Sequence, residues 1–524
     1  MWMRAGGLVG QSLVLGGAIF AFLVLRVGRE AGTGRALDCV RRVTIAGATL
    51  VGAAQLGALL TLTAAFADEA RWPIRDVLAS TTGTVGAIRL GAALGVALAA
   101  RLLLRARPGC GRWALLLGAT AVLPISGTLM SHAVGTLDPA AWLVVVSAVH
   151  QAAAGTWIGG LICALVVGRA EAGGIWLRRF SAVATASVTA LALTGIALGL
   201  AYVGSPAAAI GTSYGAMVLA KIALFLALLM MAWLNHRAVQ GWFARGRWCA
   251  VRASDRPDAL GLRPRLEVEA ALAVVALALA ASIGSTPPAA EAGGEPASLA
   301  EIARVFTPRW PRLETATVAE MRAIPGLADP YAPRTPEQTA WSEFGHNVSG
   351  LVVVAMGALA TLEGTGWARW ARHWPLLIVA LTGFVAWSVD PEGWQTGRVG
   401  VWAQLLSPEV VQHRLMLALT ALFGLAEWWV RTARGSISGW RYAFPIVCLG
   451  AGTLLITHVH ELGDAKAAFL MELTHLPLGL LLLGAGWARW LELRLPPGSG
   501  ARPGRLWGPA LVLFGLLLVF YRES

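Results

Sequence analysis

AAWLVVVSAVHQAAAGTWIGGLICALVV, residues 140–167, contains no Asp, Glu, Lys or Arg in 28 consecutive positions. Hydrocarbon tolerates such a stretch only as a helix, because every backbone N–H and C=O must be bonded within the segment. About 20 apolar residues suffice to cross a bilayer, so this run is long enough. Its single histidine, His150, falls about ten residues in, roughly 15 Å from the start at 1.5 Å per residue.

The rest of the chain repeats the pattern. Of 524 residues, 56% are hydrophobic and 14% charged, with a mean hydropathy of +0.64. A soluble chain of this size would carry about 25% charged residues. The expected fold is all-α, a polytopic membrane bundle of about 14 transmembrane helices in two blocks, eight and six. They fall near 8–26, 43–66, 84–104, 113–131, 140–167, 181–203, 214–235, 266–284, 344–362, 374–389, 411–430, 442–459, 467–487 and 506–521. The first run is followed by Arg26 and Arg29 without a small-residue cleavage site, so it reads as a retained helix.

The net charge of +13 is concentrated in alternate loops: 26–42, 101–112, 169–179, 237–265, 369–372, 431–441 and 489–505. The positive-inside rule places these in the cytoplasm and both termini outside. The basic balance thus reads as inner-leaflet charge, and nucleic-acid binding is not expected. The loops 67–83, 204–213, 390–410 and 460–466 are acidic or neutral. The longest connection, Ser285–Trp341, carries nine prolines from Pro287 to Pro336 and divides the chain. It reads as an extramembrane cap or a loose linker. The expected domains are 1–285, an eight-helix membrane domain; 286–341, an extracytoplasmic Pro-rich loop; and 342–524, a six-helix membrane domain with a His-rich outer face. Gly83 with Arg89 and Gly215 with Lys221 share a six-residue spacing after a Thr/Ser loop, which fits an internal duplication or chance similarity between apolar helices.

The five cysteines are scattered, with no CxxC, so thiolate metal transfer of that type is not supported. Histidines and carboxylates are more informative. Glu343/His346, Glu409/His413 and Glu472/His475 stand at helix-face spacing, and His458 and His460 close an outward-running helix. The topology brings His346, His413, His458, His460 and His475 to the outer face. Met416 lies three residues after His413, and Met471 four before His475. Imidazole, thioether and carboxylate together accommodate either copper oxidation state. His458 and His460 converge only if the helix ends or unwinds, which Gly463 permits.

In the first block, Met130 and His132 end one helix, and His150 and Trp157 share a face of the next. A histidine at that depth is a functional candidate or a hydrogen bond to a neighbouring helix. Arg89 and Lys221 either snorkel to the interface or set the electrostatics of a polar cavity that Tyr214 caps. His236 and His373 stand among arginines and read as loop residues. Most of the 23 tryptophans read as interfacial anchors.

His150-Gln-Ala-Ala-Ala-Gly-Thr-Trp157-Ile-Gly-Gly160-Leu resembles the hallmark helix of the bacterial copper resistance D (CopD) family. Arg179-Phe-Ser, Leu193-Thr-Gly195, Thr212-Ser-Tyr214-Gly-Ala-Met-Val-Leu-Ala-Lys221 and Asn235-His-Arg resemble that family's following helices, so the likeness covers roughly 1–285. It implies an inner-membrane protein of copper homeostasis acting in copper uptake or tolerance. The second block resembles the C-terminal extension of longer CopD-like proteins through Phe306–Pro311, Glu343–Asn347, Asp390–Trp394, Pro408–Arg414, Thr457–Glu461 and Glu472–His475.

The expected ligand is therefore copper, Cu(I) or Cu(II). The candidate ligands are His132, His150, His346, His413, His458, His460, His475, Met130, Glu343 and Glu472, with Trp157, Tyr214, Lys221 and Arg89 around a cavity. A periplasmic copper chaperone and membrane lipids are the expected partners. No P-loop or phosphorylation-type Asp motif is evident, so ATP coupling comes from elsewhere or is absent; an enzyme is not the leading expectation. The competing expectation is a membrane oxidoreductase in which the C-terminal His/Glu cluster holds haem b or a di-metal centre.

Overall fold

A computed structural model of the chain describes residues 2–25, 34–69, 73–103, 110–135, 141–170, 175–244, 262–291, 294–324, 335–391, 395–397, 400–404, 407–433, 439–457, 465–496 and 498–523. The described secondary structure is helical, without a strand. Among the described residues, ten helices have the length and hydropathy to cross a membrane, and Trp113–Leu129 and Trp440–Ile456 are shorter apolar helices. The chain is an all-α polytopic membrane protein. It divides into two compact units: Met1–Ser205 with Lys221–Ala292, and Pro206–Ala220 with Gly293–Ser524.

The first unit contains α1 (Trp2–Ile19), α2 (Gly34–Glu69), α3 (Thr81–Leu103), α4 (Cys110–Leu129), α5 (Ala141–Ala170), α6 (Ile175–Val203), most of α7 (Ser213–Ala244) and α8 (Leu262–Ile283). The central helix, α1, packs against α2, α5 and α8. It approaches α5 closely because both carry glycine at the crossing: a Cβ on Gly159 would fall on the Ser12 carbonyl, and one on Gly16 on the Gly159 backbone. Small residues at a crossing let helices pack where no hydrophobic effect drives them together. A π-helical turn, Phe20–Val24, follows α1. Phe20 sits against Trp176 and Phe180 of α6, and Arg179 donates to the Val24 carbonyl at 3.2 Å.

In the second unit, Gly293 onward opens with the short helices α9 (Leu299–Val305) and α10 (Val318–Ala323), each started by a reciprocal capping box, Ser298/Glu301 and Thr317/Glu320. The apolar helices follow: α11 (Pro336–Gly364), α12 (Leu376–Ser388), α13 (Pro408–Thr432), α14 (Ala443–Ile456), α15 (Ala465–Glu472), α16 (His475–Arg494) and α17 (Trp507–Val519). Trp374, Phe423, Phe444 and Trp507 form an aromatic core among α12, α13, α14 and α17. Arg431 lies over Trp374 and Trp507 and pairs with Glu363 and the buried Glu427, so its charge is neutralised where it is buried.

One helix expected as continuous, 467–487, is broken at Leu473–Thr474. Pro477 explains the break. Its missing N–H leaves the Leu473 carbonyl without an intrahelical donor, and its ring crowds that carbonyl. His475 therefore begins α16, and Glu472 ends α15.

Candidate functional site

In the first unit, polar groups sit at successive depths along α5 and α6. At one end, His132 Nε2 lies 3.3 Å from the Ile283 carbonyl, and its ring stands edge-on to Tyr202. Met130, half-buried, is in the turn just before it. One level deeper, His150 Nδ1 lies 2.9 Å from Thr194 Oγ1. The Thr194 hydroxyl already donates to the Ala190 carbonyl at 2.6 Å, so the ring nitrogen is the donor to the hydroxyl oxygen. The imidazole is thus held against α6, and the charge of half-buried Lys221 acts on it.

Seven residues on, about 10 Å at the helical rise, Trp157 is buried at 2% exposure on the same face of α5. It meets Phe225 edge-on and lines one cavity with Glu269 of α8. Glu269 is 2% exposed and accepts from Asn235 Nδ2 of α7 at 2.7 Å. A cavity of about 330 Å³ lies among α5, α6, α7 and α8, lined by Trp157, Ser181, Asn235, His236 and Glu269 with apolar neighbours. It extends toward the Arg-rich end of the unit, where His236 Nδ1 lies 2.9 Å from Ser181 Oγ.

Arg89 belongs to a separate polar network that reaches α5 at Gln151. It donates to the Leu123 carbonyl at 2.6 Å and to Gln11 Oε1 at 2.7 Å; Gln11 in turn bonds Gln151, and Gln151 bonds Thr128. Arg89 is 6% exposed, so it is a buried structural hub and does not snorkel.

The second unit commits its candidate residues differently. Glu343 accepts from Arg312 at 2.9 Å and from the Glu523 amide at 3.4 Å. His346 Nδ1 contacts the Ser342 carbonyl at 2.9 Å, and its ring stacks on Tyr521 at 4.0 Å. His413 Nδ1 lies 2.8 Å from Asp390 Oδ1, with Arg414 3.6 Å from the other oxygen. Asp390 has φ +51°, a left-handed conformation uncommon outside glycine, which turns its carboxylate toward α13. Glu472 accepts from Ser213 at 3.4 Å, and His475 is buried beside the helix break. Tyr214 is buried in this unit, at the start of α7. His458 and His460 lie outside the described residues. Among the described residues, no group of three or more His, Cys, Asp or Glu side chains gathers as a metal site.

Glu269, Asn235, Gln11, Gln151 and Asp390 were not expected as site residues. The signal for Glu269 was an acid on the apolar side of Arg-Leu-Glu-Val-Glu, which reads as an ordinary interfacial start of a helix.

These features define a multi-pass helical membrane protein with a polar ladder and a buried carboxylate at a cavity. The family model for copper resistance protein D (CopD) matches residues 174–283, about a fifth of the chain. That segment supplies α6, α7 and α8, three of the four helices around the cavity, and over it the chain is similar to the copper resistance protein D family. The match stops short of His150–Leu161 and does not reach the second block. No curated protein and no solved structure matches the chain.

Proposed function

We propose that the protein binds copper at the periplasmic face of the inner membrane and mediates its uptake, with the route running through the first unit. The observation that carries this reading is the ladder itself: Met130 and His132 at one end, His150 against Thr194 in the apolar layer, and a cavity reaching the Arg-rich end. Imidazole and thioether are ligands suited to Cu(I). A polar file of this kind is costly in hydrocarbon and marks ion pathways in membrane proteins. The positive-inside distribution of arginine puts the His132 end outside and the cavity toward the cytoplasm. Copper is the cargo in this account. His413, half-buried, serves in it as part of a periplasmic acquisition surface presented to a copper-carrying partner.

The test is copper accumulation in cells expressing wild type or His150→Ala at matched membrane levels. The reading expects His150→Ala to lower accumulation at least as much as the roughly 10–100-fold typical of losing an outer-shell partner in a metal site. Wild-type accumulation by the variant would remove His150 from the route.

A further inference from the structure

We propose that Glu269 is a proton-exchanging group that couples proton movement to copper movement, with the Asn235 amide following its protonation state. This rests on the copper-transport reading above and adds a coupling ion to it.

The geometry has three independent parts. First, Glu269 lines the cavity at 2% exposure, and it is the one acid among the residues lining it. An ionised carboxylate in the apolar layer is costly unless it is bonded or neutralised. Second, the donor that faces it, Asn235 Nδ2 at 2.7 Å, suits the ionised form. Third, Asn235 is 6% exposed, and its Oδ1 is buried without a hydrogen-bond partner.

A buried orphan acceptor calls for an explanation. Protonation of Glu269 supplies one. A carboxylic acid carries an O–H donor that the carboxylate lacks. Rotating the Asn235 amide by half a turn brings Oδ1 to accept that proton, so each protonation state keeps one bond between the two side chains. The pair keeps one bond in either state, and the amide end left without a partner changes from Oδ1 to Nδ2 with the proton. The exchange is a transfer of one proton between the Glu269 carboxyl and water in the cavity. No electron moves, and the carboxylate regains a proton to complete the cycle.

The other charged groups near the cavity lie as follows, most of them with partners of their own. On α7, His236 pairs with Ser181 and Arg237 lies over Trp233. On α8, Arg263 pairs with Glu267 at 3.0 Å, and Arg265 is half-buried near the helix start. On α6, Arg179 donates to Val24 and Arg178 is exposed. On α5, His150 lies about two turns away, at the level of Lys221. On α1, Arg4 donates to the Gly284 carbonyl at the far end of α8.

The test uses the full chain in proteoliposomes loaded with a copper indicator, with cuprous ion supplied from a weak chelate and a pH difference imposed across the membrane. At one proton per copper, each pH unit should change steady-state accumulation in wild type about tenfold. Glu269→Gln should abolish that dependence, Glu269→Asp should restore part of it, and Asn235→Leu should weaken it. Copper accumulation in wild type that ignores the pH difference would overturn the coupling and leave the copper reading standing. No copper movement by wild type would overturn both. Should Glu269→Gln fail to reach the membrane, infrared difference spectra of wild type still decide. A protonated-carboxyl band that titrates and shifts in Asn235→Leu supports the proposal, and no titrating band overturns it.

Discussion

Thr194 holds His150 by accepting its Nδ1 proton while its own hydroxyl is spent on Ala190. Thr194→Val removes the acceptor and keeps the shape. A half-buried donor left unpaired costs about 1–3 kcal/mol. The variant should therefore unfold at lower temperature in detergent than wild type, and a melting temperature equal to wild type would contradict the bond. At the other end of the polarity scale, Lys466 at 2.7 Å and the Ser298 cap hold the Glu301 carboxyl down to about 2, from an ordinary value near 4.5. A depressed carboxyl stabilises the fold above its unfolded value and loses that contribution as pH falls through its folded one. Amide protection at Glu301 and Ile302 should thus hold above about pH 4.5 and decline toward pH 2. Lys466→Ala should move that decline to higher pH. Loss of protection at the same pH in both proteins would contradict the assignment. His150 was legible in the sequence because it stands alone in a charge-free run. Glu269 was not, because it closes a charged helix start and its depth depends on how far α8 sinks between α5 and α7. The pattern Glu343/His346 was legible, yet its carboxylate is taken by Arg312, 31 positions upstream, a pairing that no local spacing encodes.

Helix placement followed from apolar length, and each expected run has a helical counterpart. What length alone did not reveal was where helices break and how closely they approach. Pro477 was visible, but the break it makes between α15 and α16 depends on the Leu473 carbonyl finding no other donor. Pro477→Ala should let one helix run through, slowing amide exchange over 473–478. Unchanged exchange would mean that something other than proline holds the break. The Gly16/Gly159 crossing is a second element-scale commitment. Gly159→Ala places a methyl on the Ser12 carbonyl, and forced overpacking costs typically about 1–3 kcal/mol. The expected result is a lower yield of folded protein and a lower melting temperature in detergent. Wild-type behaviour would mean that α1 and α5 are not in such close contact.

Across the whole molecule, the alternating arginine loops and the apolar helices agree on a multi-pass chain, and the Pro-rich connection joins the second unit from Gly293 onward. A cysteine placed at Trp310, 93% exposed, in a Cys-free background should react with an impermeant thiol reagent in intact spheroplasts. Protection there would invert the orientation and put the His132 end in the cytoplasm. The route for copper is the central claim, and purified protein in sealed liposomes tests it with nothing else present. Wild type should load the lumen with copper from a cuprous chelate faster than protein-free liposomes. His150→Ala, folded and inserted to the same extent, should lose most of that excess rate. Loading by wild type at the protein-free rate, or equal loading by wild type and His150→Ala, would contradict the account.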